Sequence, residues 1–195
     1  MRRMEEYTLV RARRKTLSLQ VTRELKVVVR APRWVSKREI EAFVEGRADW
    51  IRQHRERQAQ RNAADAVSPK EEAALLSLAK ELLPRRTEMF GNRLGLTASS
   101  VRITGARTRF GSCNGPARLC FSWRLLRYPL AAIDYVVVHE LCHIPHKNHG
   151  AAFYREIEKI LPDYREREQL LRQPPLPAGE AIEAAQELLQ KEETV

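Results

Sequence analysis

His139-Glu140-Leu141-Cys142-His143 sets two imidazoles and a carboxylate within five residues. On a helix, positions four apart stand one turn apart on the same face, so both imidazoles can reach one ion. Zinc takes neutral His nitrogens, and a catalytic zinc keeps its last position open for water. Glu140 lies beside the first imidazole, where it can take a proton from that water as it attacks a carbonyl. His149 is the natural third ligand, ten residues after His139 and beyond the helix break that Pro145 imposes. The spacing H-x3-H-x5-H is the ligand spacing of the metzincin pattern. His146 stands where that pattern has its turn glycine, and it can be a substitute ligand, a group behind the ligands or a solvated loop residue. Four of the five histidines of the chain fall in this stretch.

A structural zinc is the competing reading. Such sites close with four protein ligands and favour Cys. Cys142, however, projects off the face shared by His139 and His143, which points to packing instead.

The elements that must carry these residues can be read from periodicity and punctuation. Leu17, Leu19 and Val21 alternate with polar residues, and Lys26-Val29 follows a polar break, so the start is a β-hairpin. Ser36-x-x-Glu39 and Ser68-x-x-Glu71 are capping-box signatures, the second with Pro69 at the first helical position. Ile40, Phe43, Val44 and Ile51 mark one helix face, and Leu75, Leu78, Ala79 and Leu82 another. Pro84 is expected to kink or end that second helix, and Gly91 to end whatever continues. Val101 and Ile103 alternate, and Asn114-Gly115-Pro116 is a turn. Beyond it Leu119, Phe121, Trp123 and Leu125 share one strand face, with Cys120, Ser122 and Arg124 on the other. Pro129 opens the helix that delivers His139, further helices start after Gly150 and near Asp163, and Pro174-Pro177 is a linker to an acidic, loosely attached helical tail.

At 195 residues, 43% of them hydrophobic, the chain can bury the core of one ordinary domain with an extension. No apolar run is long enough to span a bilayer, and the first residues lack a secretory signal, which predicts a soluble cytoplasmic protein with no membrane partner. Three cysteines without a CxxC pair fit a reducing compartment. The net charge is +10, and the acidic tail (179–195) carries five Glu against one Lys. A balance of this sign suits DNA or RNA association through a basic surface, or else is a solvated Arg-rich exterior. Oligomeric state is left open.

Several blocks in order, "RTRFGSCN" (107–114), "SWRLLRYP" (122–129), "IDYVVVHELCH" (133–143), "NHGAAFY" (148–154) and "LPDYRER" (161–167), resemble the YgjP-like metallopeptidases. These are small zincin-type proteins related to SprT-like and WLM domains. The resemblance covers most of residues 7–172. It implies an α+β fold, with a small, mostly antiparallel sheet packed with helices and an active-site helix carrying HExxH. It also implies Zn2+ held by His139, His143 and His149, with Glu140 as general base, and a peptide or protein substrate. A hairpin built from residues 107–125 is implied ahead of the active helix, with Arg109, Ser112 and Arg124 as lip residues along a substrate-pairing edge strand. Phe110 stands where the family usually has Trp, and Cys120-Phe121-Ser122 where it has an Asn. Tyr154 or Tyr164 can donate to an oxyanion, and Phe153 packs under the ligand loop. The expected organisation is a metallopeptidase domain over residues 1–172, its catalytic core about 68–172, then a linker and tail over 173–195.

Three functions fit these residues. One is a zinc-dependent peptidase. A second is a metal-dependent ribonuclease, because YbeY-like RNA-processing proteins share H-x3-H-x5-H; those have Gly after the first His, where this chain has Glu140. The third is a nucleic-acid-associated zinc protein in which the metal only stabilises the fold.

Overall fold

The computed structural model describes residues 5–193 and divides the chain into two compact units, 1–66 and 67–195. The N-terminal unit has three strands, β1 (Tyr7–Ala12), β2 (Ser18–Val21) and β3 (Val27–Pro32), followed by helices α1 (Lys37–Glu45) and α2 (Ala48–Ala64). The hairpin expected from the alternation is β2–β3, and β1 joins β3 in parallel from the other side. Val27, Val29 and Ala31 form the buried face of β3 and pack with Ile40, Val44 and Ile51. The apolar stripe that reads as one helix is broken at Gly46, where α1 ends.

The second unit opens with α3 (Pro69–Leu94), then β4 (Ser100–Thr104), β5 (Gly111–Asn114) and β6 (Arg118–Ser122). Ser68 caps α3 as its sequence predicts, accepting from the Glu71 N–H at 3.3 Å while Glu71 accepts from the Ser68 N–H at 2.8 Å. Pro84 does not end this helix. Leu75, Ala79, Leu82 and Leu83 before the ring and Thr87 and Phe90 after it are buried, and burial on that scale outweighs the ~3 kcal/mol a mid-helix proline costs. Gly95, at φ 65°, terminates α3 instead. The Leu96 N–H reaches back to the Gly91 carbonyl at 2.9 Å, and the Gly95 N–H to Asn92, which is a Schellman ending.

The strand order is β4-β6-β5, with β4 parallel and β5 antiparallel to β6. Both sheets are therefore mixed rather than mostly antiparallel, because the first strand of each enters parallel to the third. The run from Leu119 to Leu125 does not stay a strand. It leaves the sheet at Ser122 and tightens into a 3-10 turn, Trp123–Arg127, buried throughout. That turn feeds α4 (Leu130–Cys142), which is followed by α5 (Ala151–Ile160), α6 (Tyr164–Leu170) and α7 (Ala178–Glu193).

α4 is buried along most of its length, and its apolar residues join Phe90 of α3 and Leu119 and Phe121 of β6 in one core. Ala178, Ala181 and Ala185 of α7 belong to the same core. The Pro-rich segment is pinned by the Leu176 N–H to the Arg127 carbonyl and by the Arg127 Nε–H to the Leu176 carbonyl, each at 2.8 Å. The tail is thus a packed helix of the second unit rather than a loose appendage, since small residues on one stripe let it approach α3 closely. None of the described helices is long and apolar enough to cross a membrane.

Candidate metal centre

α4 supplies His139 and, at its C-terminal cap, His143. The chain then leaves helical geometry. The Ile144 and His146 N–H groups bond back to Leu141 and Cys142, Lys147 Nζ donates to the His143 carbonyl at 2.9 Å, and the turn returns His149 to the other two imidazoles. The three Nε2 atoms lie 3.1–3.2 Å from one another. Nitrogens about 2.0–2.1 Å from one tetrahedral zinc would stand roughly 3.3 Å apart, so the triangle matches one face of such a site. Hydrogen bonds among the rings cannot account for all three spacings at once. The Nδ1–H of His143 donates to the His146 carbonyl at 2.9 Å, which leaves its Nε2 a bare lone pair directed at the cluster. Among the described residues this is the one group of three or more His, Cys, Asp or Glu arranged to hold a metal ion.

Phe153 on α5 forms the floor. It is buried, and its ring centroid lies 4.9, 4.6 and 4.9 Å from those of His139, His143 and His149. Tyr135, one turn before His139 on α4, meets that imidazole edge-on at 5.7 Å. Burial in this apolar setting lowers the His139 pKa to about 4, with the other two imidazoles adding to the effect, so its ring is neutral as a ligand must be. Its Nδ1 is buried without a hydrogen-bond partner.

Glu140, 6% exposed, turns toward the sheet. A Cβ built on Gly111 of β5 would lie 2.6 Å from its Cγ and Oε1, so the absence of a side chain there is what gives the carboxylate its space. Burial pushes Glu140 up to about 7, and the Arg109 charge opposes the rise. A cation at the triad would draw it back down.

β5 is an edge strand. The Ser122 N–H donates to the Phe110 carbonyl at 2.8 Å, so in the antiparallel register Ser112 and Asn114 are the residues bonded to β6. Gly111 and Cys113 therefore direct their N–H and C=O groups away from the sheet.

The other residues expected at the lip separate. Arg109 is exposed and close enough to act on Glu140. Ser112 lies on the opposite sheet face from Gly111, across from Cys120, where it lines a shallow pocket of ≈ 260 Å³ with Arg102 and Thr104. Arg124 is 8% exposed inside the 3-10 turn, its guanidinium 4.3 Å from the Trp123 ring, which is a packed position and not a lip. His146 contributes its carbonyl rather than its ring. Cys142 is buried, its thiol pushed up to about 12, as a packing residue would be. Tyr154 stacks on Tyr164 at 5.8 Å, and Tyr164 accepts from Arg165 Nε at 3.1 Å.

Two contributors lie inside the blocks that carry the resemblance, 107–114 and 133–143, but no spacing or residue pattern assigns them a role. Gly111 has meaning only through its contact with Glu140. Asp134 on α4 accepts from Arg86 on α3 through both carboxylate oxygens, at 2.9 and 2.8 Å, and so anchors the helix that bears the triad.

The YgjP-like, metallopeptidase domain model matches residues 15–77 and 72–174. The chain belongs to the YgjP-like metallopeptidase family. Among solved structures, this YgjP-like chain is similar to the crystal structure of the metallopeptidase zymogen of Pyrococcus abyssi abylysin. Identity is 22%, over 45% of this chain and 90% of that one, with a TM-score of 0.42. No curated protein matches. A metallopeptidase domain of this kind works with a divalent metal, and the three imidazoles of the YgjP-like chain have the donor set and spacing to hold one.

Proposed function

We propose that this protein is a zinc-dependent metallopeptidase that hydrolyses peptide bonds, with His139, His143 and His149 as metal ligands and Glu140 as general base. The observation that carries the reading is the pairing of the Nε2 triangle with a buried carboxylate on the next residue of the same helix. Bound zinc would supply Lewis acidity toward the scissile carbonyl and toward water. Glu140 takes the proton of the attacking water and passes it to the leaving nitrogen, which must be protonated before it departs. Gly111 holds that carboxylate in place by leaving it room. The outward N–H and C=O groups of Gly111 and Cys113 bind an extended peptide as an added strand, which orients its carbonyl. Phe153 closes the site from below, and Arg109 keeps a positive charge at its rim.

Ribonuclease chemistry on the same three histidines is the second reading. Glu140 disfavours it, because the related RNA-processing pattern has glycine at this position.

The test uses purified protein, metal analysis and peptide and RNA substrates with and without chelator. His139→Ala should lose stoichiometric zinc. Glu140→Gln should keep zinc and lose peptide hydrolysis. A Glu140→Gln protein that cleaves as fast as its parent would overturn the mechanism, and chelator-sensitive cleavage of RNA alone would replace the substrate class.

A further inference from the structure

The charge of the chain is not shared between its units. Residues 1–66 hold seventeen Lys and Arg against nine Asp and Glu, while residues 67–195 hold eighteen against sixteen. Nearly all of the +10 therefore lies in the unit without the histidine triad.

Within that unit, α2 is unusual. Ile51 is its buried apolar residue, and the helix docks mainly through polar contacts: Asn62 donates to the Arg23 carbonyl, Arg55 to that of Leu25, and Arg23 pairs with Asp65. Arg47, Trp50, His54, Arg57 and Arg61 recur at spacings of three and four residues beside this docked face, so they form one continuous stripe along the helix. Trp50 is 36% exposed, and its ring stacks on His54 at 3.7 Å between centroids and 21° between planes. Arg57 and Arg61 are exposed, and no acidic partner meets them among the described residues. Asp49 and Glu56 fall on the far side of the helix, and Asp49 is occupied by Arg52 at 2.6 Å.

A flat aromatic platform in line with free guanidinium groups is what an unpaired nucleic-acid strand requires. Bases stack on the rings without sequence preference, and phosphates track the cations. We propose that this stripe of α2 is a binding site for single-stranded DNA. Asp65, one turn beyond Arg61, is engaged by Arg23, so the stripe offers donors and ring faces but no free charged acceptor for a ribose 2′-hydroxyl and gives RNA no advantage. Duplex DNA hides its base faces and would use the arginines alone.

The stripe and the triad belong to different units of the chain, and the test of the stripe reads binding rather than hydrolysis. Full-length protein is titrated into fluorescein-labelled dT20 at several salt concentrations and followed by anisotropy. The parent chain should bind, weakening steeply with salt, and Glu140→Gln should bind equally well. Arg57→Gln with Arg61→Gln should lower the slope of log K against log salt by about 1.4, since each phosphate contact on a single strand contributes about 0.7. Arg38→Gln with Arg52→Gln removes the same charge from the same unit off the stripe and should leave the slope unchanged. Trp50→Leu keeps apolar volume but no ring, and should lose on the order of ten-fold in affinity, whereas Trp50→Phe should retain most of it. The proposal fails if dT20 does not bind at low salt or if both arginine pairs lose equally. It also fails if Trp50→Leu matches the parent, or if duplex DNA or rU20 binds more tightly than dT20.

Discussion

Gly111 and Glu140 stand so close that a single methyl group on the glycine would occupy the position of the carboxylate, 2.6 Å from both Cγ and Oε1. The obstructed atoms, Cγ, Cδ and Oε1, belong to one side chain and not to backbone, so the clash is relieved by turning Glu140 about its own bonds. Gly111→Ala should therefore cost little stability and still move the base. Displacing a catalytic group by about 1 Å can cost roughly 100-fold in rate. The expected outcome is a loss of that order in kcat/KM on a model peptide, with zinc content and thermal midpoint close to the parent. A fully active Gly111→Ala protein would mean that the carboxylate is not used where it lies.

Asp134 and Arg86 make a two-oxygen ion pair whose side chains are only 9% and 12% exposed. Removing one member of such a pair leaves a buried charge, at a cost of about 3–5 kcal/mol. Asp134→Ala should lower the urea midpoint accordingly. Replacing Asp134 and Arg86 together by Leu and Met should recover much of the loss. If the double replacement is no better than the single, the pair does not act as a unit.

The parts of this architecture that were legible in advance are those decided within a few residues. The two Ser-x-x-Glu boxes cap α1 and α3 because donor and acceptor lie three residues apart. The HExxH spacing aligns His139 and His143 for the same reason. What escaped depends on distant neighbours. α3 passes through Pro84 because the core holds both halves, and the alternation from Leu119 to Leu125 turns into a buried 3-10 turn once β6 reaches the end of its partners. Gly111 and Asp134 gain their roles from segments about thirty and fifty residues away, in Glu140 and Arg86.

The carboxyl of Glu71 is held below its ordinary value of 4.5, first by the Ser68 hydroxyl and then by the Ser68 N–H. A depressed folded-state value contributes stability that is present above the ordinary carboxylate range and is lost as pH falls through the folded value. Glu71→Gln should accordingly lower stability at neutral pH, flatten the acid limb of the stability–pH profile, and converge on the parent as pH falls below 4.5. Ser68→Ala removes the cap itself and should cost about 1 kcal/mol at neutral pH. Chemical denaturation at pH 7 and pH 3.5 separates the two effects. An acid limb in Glu71→Gln as steep as in the parent would remove the carboxylate from the account.

α7 offers the strongest contrast with its sequence, which is acidic and follows three prolines. Ala178, Ala181 and Ala185 are buried in the core of the second unit, and Leu189 is 7% exposed on the same side of the helix. Leu189→Ala should then destabilise by about 2–5 kcal/mol, as for other buried leucines. Ala181→Leu should cost about 1–3 kcal/mol through overpacking against α3. Truncation after Gln173 would uncover the apolar face of α3, and the shortened protein should unfold at a much lower temperature, less cooperatively, with increased binding of a hydrophobic dye. A truncated protein with the thermal midpoint of the parent would return this segment to the role of an appendage.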